Sequence, residues 1–132
     1  MSSLIRAITV SGAAVLLTTG LALSPAAFAA EPAAAAKPAL TKDQEEGKEI
    51  AFDKSKGNCL ACHAIADGQL PGNIGPMLIA MKARYPNKED LFQVIWDPRK
   101  KFGRGVIMPP MGDHKILTKE EIDKVVDYLY TL

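Results

Sequence analysis

The chain has 132 residues, with 16 Lys and Arg against 15 Asp and Glu, and its formal net charge at pH 7 is +1. This balance excludes a protein that binds nucleic acid through bulk positive charge. A chain of this length builds one small domain, and its hydrophobic core is modest.

The first 29 residues have the layout of a secretory signal peptide. Arg6 gives a weakly positive start, residues 7–23 are almost wholly apolar, and Ala27-Phe28-Ala29 places small residues around a cleavage point. The alternative is an uncleaved membrane anchor, which needs about 20 apolar residues without a break such as Ser24-Pro25. We predict that residues 1–29 are removed and that the remainder is periplasmic, with no membrane span. Its formal charge is then zero, because cleavage takes away one arginine and no acid.

The segment that follows is predicted to be a flexible lead-in, residues 30–40, because it is rich in Ala and Pro and has little to bury. Residues 41–132 then form the folded domain. Thr41-Lys42-Asp43-Gln44 has the form of a capping box and predicts a helix that runs to about Asp53. Residues 67–76 are rich in Gly and Pro and predict an ordered loop.

Helical signals also dominate the second half of the chain. Residues 77–84 are predicted to form a short helix, and Asn87 is predicted to cap a helix from Lys88 to Trp96. Residues 99–115 have no periodicity and are predicted to be irregular. A second capping box, Thr118 to Glu121, precedes an amphipathic helix. Its apolar face at positions i, i+3, i+4 and i+7 consists of Ile122, Val125, Val126 and Leu129. No strand pattern and no internal repeat is found, so the predicted fold class is all-α.

Cys59-Leu60-Ala61-Cys62-His63 is the most informative segment of the chain. Two cysteines separated by two residues and followed by histidine form the attachment signature of c-type haem. Each thiol adds across one vinyl group of the porphyrin, so the two sulfur atoms bracket one edge of the macrocycle. His63 then lies under the iron as an axial ligand. We therefore predict one haem c, bound covalently through Cys59 and Cys62.

Three alternatives explain this segment less well. A disulfide or redox CxxC site accounts for the cysteines but not for the adjacent histidine. A structural zinc site needs four ligands, and His114 is the only other histidine in the sequence. Chance occurrence is the third alternative. The predicted export signal argues against it, because haem attachment to CxxCH thiols is expected outside the cytoplasm.

The second axial position on the iron has three kinds of candidate: a methionine sulfur, a histidine nitrogen, or an open site for an exogenous ligand. Met108 and Met111 lie in a Met-Pro-Pro-Met loop, whose restricted backbone suits the presentation of a thioether. Met108 is the predicted ligand, Met111 is the alternative, and His114 is an outside candidate. Met77 and Met81 are predicted to pack in the core.

Two further features near these residues are each open to more than one explanation. The carbonyl of Pro76 can accept a hydrogen bond from the free N–H of His63, which would orient the imidazole, or Gly75-Pro76 is simply a turn. A basic group either steers an acidic partner or pairs with the haem propionates, or it belongs to a solvated loop. Its members are Arg99, Lys100, Lys101 and Arg104.

Together these segments resemble the class I cytochromes c over nearly the whole chain after the signal peptide. The resemblance is carried by Gly47-x-x-x-Ala51, Cys59–His63, Gly75-Pro76-Met77-Leu78, the Met-Pro-Pro loop and the C-terminal amphipathic helix. Further runs are similar to those of the SoxX family, the monohaem subunits of the SoxAX cytochrome of bacterial sulfur oxidation. These runs are Asn58–His63, Pro71–Pro76, Arg84-Tyr85-Pro86, Ile95–Pro98 and Met108-Pro109-Pro110. Cytochromes c often carry an aromatic residue where Ala51 stands, and Phe52 is expected to supply that packing.

The resemblance implies a class I cytochrome c fold, with a few helices wrapped around one haem. It also implies a heterodimer with a SoxA-type cytochrome, which would hold the substrate site, so no catalytic residue is expected in this chain. Such a complex is an L-cysteine S-thiosulfotransferase that oxidatively joins thiosulfate to a cysteine of the carrier protein SoxYZ. This chain would pass the electrons to a small soluble cytochrome c. Two other functions stay open: a free diffusible cytochrome c that serves a terminal oxidase or reductase, and a ligand-binding haem protein.

Overall fold

Every regular element in the computed structural model, which describes residues 38–132, is helical. The α-helices are α1 (Lys42–Phe52), α2 (Met81–Arg84), α3 (Lys88–Trp96), α4 (Arg99–Phe102) and α5 (Lys119–Leu129), and Cys59–Ala61 forms a 3-10 turn. No strand occurs in this range, in agreement with the predicted all-α fold. Within the same range, no helix has the length and hydropathy to cross a membrane. The predicted signal peptide, residues 1–29, and most of the lead-in predicted for residues 30–40 lie outside the described residues.

Both predicted capping boxes begin a helix. Gln44 N donates to Thr41 Oγ1 over 3.4 Å, and Thr41 N donates to Gln44 Oε1 over 2.9 Å. The same reciprocal pair joins Thr118 and Glu121, with distances of 3.2 and 3.0 Å. Asn87 caps α3 with its side-chain oxygen, as predicted. Each box satisfies two backbone amides that the first turn of a helix leaves without partners.

Two segments differ from the sequence-based prediction. The helix expected over residues 77–84 begins only at Met81, because Ala80 has a left-handed φ of +51°, which a right-handed helix does not accommodate. The segment Arg99–Phe102, predicted to be irregular, forms the single turn of α4. It follows directly after Pro98, whose φ of −62° is already helical.

The core forms where α1 crosses α5. At the crossing the two backbones are so close that a Cβ on Gly47 would lie 2.0 Å from the carbonyl oxygen of Lys124, and glycine alone permits this approach. Phe52 packs edge-on against Tyr128, with ring centroids 6.0 Å apart, and so provides the aromatic packing expected beside Ala51. The predicted apolar face of α5 is buried throughout: Ile122, Val125, Val126 and Leu129.

Candidate functional site

The CxxCH segment begins at a left-handed residue. α1 has ended at Phe52, the amide of Gly57 donates to the carbonyl oxygen of Ile50 over 3.1 Å, and Asn58 then has a φ of +45°. Asparagine is one of the few non-glycine residues that adopt this conformation readily. The reversal places Cys59 at the start of the 3-10 turn and close to the C-terminal end of α1.

Cys59 and Cys62 are both free, half-buried thiols at the two ends of one turn. The amides of Cys62 and His63 donate to the carbonyl oxygen of Cys59 over 3.2 and 2.9 Å. Burial raises the pKa of the Cys59 thiol to about 11. A reactive redox CxxC has the opposite property, a lowered thiol pKa, so this environment argues against the redox alternative.

The loop from Gly72 to Leu78 lies alongside the CxxCH segment. Three backbone hydrogen bonds join the two: Gly72 N to Leu60 O (2.7 Å), Gly75 N to Cys62 O (2.8 Å) and Leu78 N to Ala64 O (2.9 Å). A Cβ on Gly72 would lie 2.0 Å from the carbonyl oxygen of Ala61, so this glycine permits the close approach of the two backbones. The loop therefore forms one wall of the site.

His63 is oriented by this wall. Its Nδ1 lies 2.7 Å from the carbonyl oxygen of Pro76. A carbonyl oxygen can only accept, so Nδ1 carries the proton and donates it to this bond. The lone pair on Nε2 is then left for a metal ion. A Cβ on Gly75 would lie 2.4 Å from the Cε1 atom of His63, which explains why a residue without a side chain stands there.

The loop that carries the candidate methionines is anchored to the end of α3. Met111 N donates to Ile95 O over 3.1 Å, and Gly112 N donates to Trp96 O over 3.2 Å. Gly112 lies against the indole of Trp96, where a Cβ would stand 2.2 Å from the nearest ring carbons. Tertiary contacts therefore define the course of a loop that the sequence could describe only as irregular.

Met108 and Met111 have different environments. Met111 is 8% exposed and belongs to the hydrophobic core, and its carbonyl accepts from Ile116 N and Leu117 N over 2.8 and 3.0 Å. Met108 is half-buried at the edge of the same core. A thioether at the edge of the core can reach a metal with less loss of packing than one buried within it, which favours Met108. His114 is exposed.

The other two methionines differ from each other as well. Met81 is buried, as predicted, and only 2% exposed. The prediction that Met77 packs in the core is wrong, because this side chain is 57% exposed. Leu78 occupies the inward position at this point of the loop, and the Met77 carbonyl accepts a hydrogen bond from Arg84 over 3.0 Å. Met77 consequently extends the apolar surface of the loop.

The basic group between α3 and the methionine loop does not form a uniform patch. Arg99 makes ion pairs with Asp97 and Asp113, and so it ties the end of α3 to the methionine loop. Lys101 Nζ lies 4.6 Å from the centroid of the Tyr85 ring, within the range of a cation–π interaction. Part of the positive charge is thus compensated within the chain.

Exposed apolar side chains indicate what this site can hold. Leu70, Ile74, Met77 and Ile79 lie in the loop before α2, Ile107 and Ile116 lie in the loop between α4 and α5, and Phe102 ends α4. The loop before α2 is hydrogen-bonded to the CxxCH segment, so its apolar surface lies beside two thiols and an imidazole with a free Nε2. This combination suits a flat apolar macrocycle with a metal at its centre. One buried polar atom, the hydroxyl of Tyr128, also lacks a hydrogen-bond partner. The residues present therefore fit a haem.

Two glycines of the site have no role in the sequence-based prediction. Gly72 lies within the predicted loop 67–76. The short spacing of glycines and prolines in this loop is a sequence signal that could have indicated a close approach of its backbone to another segment. For Gly112, no local signal exists, since its partner Trp96 is 16 residues earlier and belongs to another element.

Comparison with known proteins agrees with this geometry. Residues 44–132 match the family model described as Cytochrome c. The matched range contains the CxxCH segment, the wall formed by residues 72–78 and the methionine loop. No curated protein matches the chain.

Proposed function

The chain belongs to the cytochrome c family, and from this we propose that it is the electron-transfer subunit of a SoxAX-type complex. Membership of the family means that the chain is a c-type cytochrome, that it carries covalently bound haem c, and that it transfers electrons. The partner, the substrate and the periplasmic location are the proposed part.

In the proposed complex, a SoxA-type cytochrome holds the substrate site. Thiosulfate and a cysteine thiol of the carrier protein SoxYZ form an S–S bond there, which releases one proton and two electrons. This chain relays the electrons, one at a time, to a small soluble cytochrome c in the periplasm. Its only two cysteines are those of the CxxCH segment, which leaves no thiol of its own for conjugation.

The observation that carries the proposal is the contact between His63 and Pro76. With Nδ1–H donated to the Pro76 carbonyl oxygen over 2.7 Å, the imidazole can present only Nε2 to the iron. Because the carbonyl and Gly75 fix the ring, it keeps its orientation when the charge on the metal changes, and this limits reorganisation. When bound, the haem supplies one-electron redox chemistry. His63 and Met108 would hold the iron, and a ligand set of imidazole and thioether that leaves no place for an exogenous ligand would favour electron transfer over ligand binding.

The runs that resemble the SoxX family support the more specific part. Gly72 and Gly75 belong to one such run and pack against the CxxCH segment. Trp96 and Asp97 belong to another and hold the methionine loop through Gly112 and Arg99. In this structure, these runs therefore lie on the two sides of the candidate haem site.

The sixth ligand is tested by paired variants of the holoprotein. We expect Met108→Ala to abolish the weak red charge-transfer band of a ferric iron–thioether bond. Met111→Ala should retain the band but lower the free energy of unfolding by about 2–5 kcal/mol, as expected for a methionine truncated in a core. If the band survives in Met108→Ala and disappears in Met111→Ala, Met111 is the ligand instead.

The partner is tested with the affinity-tagged holoprotein in sulfur-oxidising cells. We expect it to purify with a second c-type cytochrome that has a cysteine-derived axial ligand. Thiosulfate and the carrier protein should then reduce the haem of this chain in the complex but not in the isolated subunit. A chain that purifies alone, and that membranes containing a terminal oxidase oxidise directly, would instead be a diffusible cytochrome c.

A further inference from the structure

The loop before α2 contains a stretch without charged side chains. Residues 68–81 include no Lys, Arg, Asp, Glu or His, although 23% of the whole chain is charged. Four apolar side chains of this stretch are more than half exposed: Leu70 (98%), Ile74 (65%), Met77 (57%) and Ile79 (58%). We call these four side chains the neutral face. Single exposed apolar residues are ordinary, but a group of them on one surface marks a site of interaction.

The backbone holds the neutral face together. The amides of Gly72, Gly75 and Leu78 donate to the carbonyl oxygens of residues 60, 62 and 64 over 2.7–2.9 Å. These acceptors lie within five residues, which span at most about 14 Å. The side chains of the neutral face therefore project from one short, firmly held segment and not from separate parts of the chain.

Leu70 combines two properties that do not stabilise the chain. Its φ of +52° is left-handed, a conformation that a residue with a Cβ adopts at a cost. Its side chain is 98% exposed, so the unfavourable backbone conformation does not direct it into the core. Lys115 has a similar φ of +57°, but its exposed charge is solvated by water. A leucine in this position can gain packing only from a second molecule.

A haem would leave part of this face uncovered. His63 Nδ1 donates to the Pro76 carbonyl oxygen, so a metal at Nε2 lies on the opposite side of the imidazole from Pro76. Met77 follows Pro76 directly, and Leu78, which is 9% exposed, is the side chain that turns into the core between Met77 and Ile79. Met77 and Ile79 are thus turned outward behind the imidazole. The bond from Gly72 to residue 60 places the other end of the face beside the CxxCH segment.

The absence of charge from residues 68–81 indicates what kind of molecule covers them. Partners that meet and separate are brought together by complementary charges, which this stretch does not offer. The centres of permanent interfaces, in contrast, are apolar and depleted of charge. A second copy of this chain would bring together two identical redox centres, between which electron transfer has no driving force. A different protein that remains bound is therefore the occupant that fits.

We propose that the neutral face is the docking surface for the permanently bound partner subunit, the protein that donates electrons to this chain. The partner presents an uncharged, apolar surface with a pocket for Leu70. Docking there places the donor beside the CxxCH segment and the histidine side of the haem. The inference rests on the proposed function, which supplies a permanent partner, and it adds the face on which that partner binds.

The test compares two double variants of the holoprotein. Leu70→Lys with Ile79→Lys introduces two charges into the neutral face, and Lys115 shows that lysine tolerates the backbone conformation of position 70. Phe102→Lys with Ile116→Lys is the matched control, since it changes two exposed apolar side chains outside the face. The probe is the second c-type cytochrome purified with the wild type, and its binding to each immobilised holoprotein is measured by surface plasmon resonance.

We expect the neutral-face variant to bind this cytochrome at least about 100-fold more weakly than the wild type. The control should stay within about threefold. Both variants should keep the wild-type content of covalent haem and the wild-type absorbance spectrum. Because the face carries no charge, the affinity of the wild type should change by no more than about threefold between roughly 0.05 and 0.5 M NaCl.

Several results would overturn the inference. An unchanged affinity of the neutral-face variant, or a steep loss of wild-type affinity in salt, would place the partner on another surface. Loss of covalent haem from the neutral-face variant would assign these side chains to the haem. An isolated wild-type holoprotein that is a dimer, and that the neutral-face substitutions convert to a monomer, would identify a second copy as the occupant. If the variant binds normally and its residues 30–37 become sensitive to protease, the lead-in covers the face.

Failure of the proposed function would be recognised separately. In that case the wild type itself would purify without a second cytochrome, and the inference would fall with the function. A cytochrome that binds the wild type and the neutral-face variant equally well would refute the docking surface alone.

Discussion

The substitution Gly47→Ala sets two physical effects of opposite sign against each other. Gly47 lies in the middle of α1, where replacing glycine by alanine should stabilise the helix by about 1 kcal/mol. The new Cβ, however, would lie 2.0 Å from the carbonyl oxygen of Lys124, 2.4 Å from its carbonyl carbon and 3.0 Å from the amide nitrogen of Val125. All three atoms belong to the backbone of α5, so no side chain can rotate away.

The steric effect should be the larger one. Carbon atoms in van der Waals contact are roughly 3.5–4.0 Å apart, so α1 and α5 would have to separate by more than about 1 Å. Overpacking of a well-packed core destabilises by about 1–3 kcal/mol, and the upper end applies where backbone meets backbone. With the gain in helix propensity subtracted, we expect a net loss of about 2 kcal/mol in the free energy of unfolding.

The assay is urea unfolding of the holoprotein, followed by far-ultraviolet circular dichroism. The midpoint should fall while the slope m stays constant, because the same surface is exposed on unfolding. Glu49→Ala is the matched control, since Glu49 is exposed on the same helix and changes propensity without a clash; its effect should stay within about 0.5 kcal/mol. A Gly47→Ala protein as stable as the wild type would refute the close approach of the two helices.

Two further predictions concern the site. Gly75→Ala would place a Cβ 2.4 Å from Cε1 of His63 and break the hydrogen bond from His63 Nδ1 to the Pro76 carbonyl oxygen. Without that bond the imidazole should be a less basic ligand, so the midpoint potential of the haem should rise. An unchanged potential would contradict this. The Arg99 guanidinium, which is hydrogen-bonded to Asp97, holds the pKa of that carboxyl below its usual 3.8. The ion pair between Asp97 and Arg99 therefore stabilises the folded protein at pH values above 3.8. This stabilisation is lost as the pH falls through the lowered pKa. The difference in stability between the wild type and Asp97→Asn should therefore be constant near neutral pH and shrink in acid, and a difference that persists unchanged to the lowest pH would argue against the pair.

Features with a local cause could be predicted from the sequence. A capping box is complete within four residues, and both Thr41 and Thr118 begin helices as predicted. The CxxCH segment is equally local, since the haem chemistry requires its spacing. The periodicity of α5 identified its buried face because 11 residues are enough to reveal a repeat.

Features with a distant cause could not be predicted. The helix α4 has four residues, which are too few to show a helical periodicity in the sequence. The exposure of Met77 depends on which side of its loop packs against the core. Met108 and Met111 are equivalent as thioethers in a Pro-Pro loop. They can be distinguished as candidate ligands only by their burial, since Met111 lies in the core and Met108 at its edge. Burial depends on how the folded chain packs. The Gly112–Trp96 contact likewise exists only after folding.

The histidine side and the methionine side of the haem site differ in the backbone hydrogen bonds that hold them. We therefore expect one side to loosen before the other when the protein is heated. On the histidine side, three backbone hydrogen bonds of 2.7–2.9 Å join residues 72–78 to residues 60–64. On the methionine side, the anchors lie beyond Pro110, and the stretch before Met108 is tied back by a 3.3 Å bond from Val106 N to Gly103 O. With Met108 as the proposed ligand, mild heating should therefore release its sulfur first, while the His63 imidazole stays in place. A sample could lose its native colour and still keep its helices, so absorbance alone would underestimate how much of the protein remains folded.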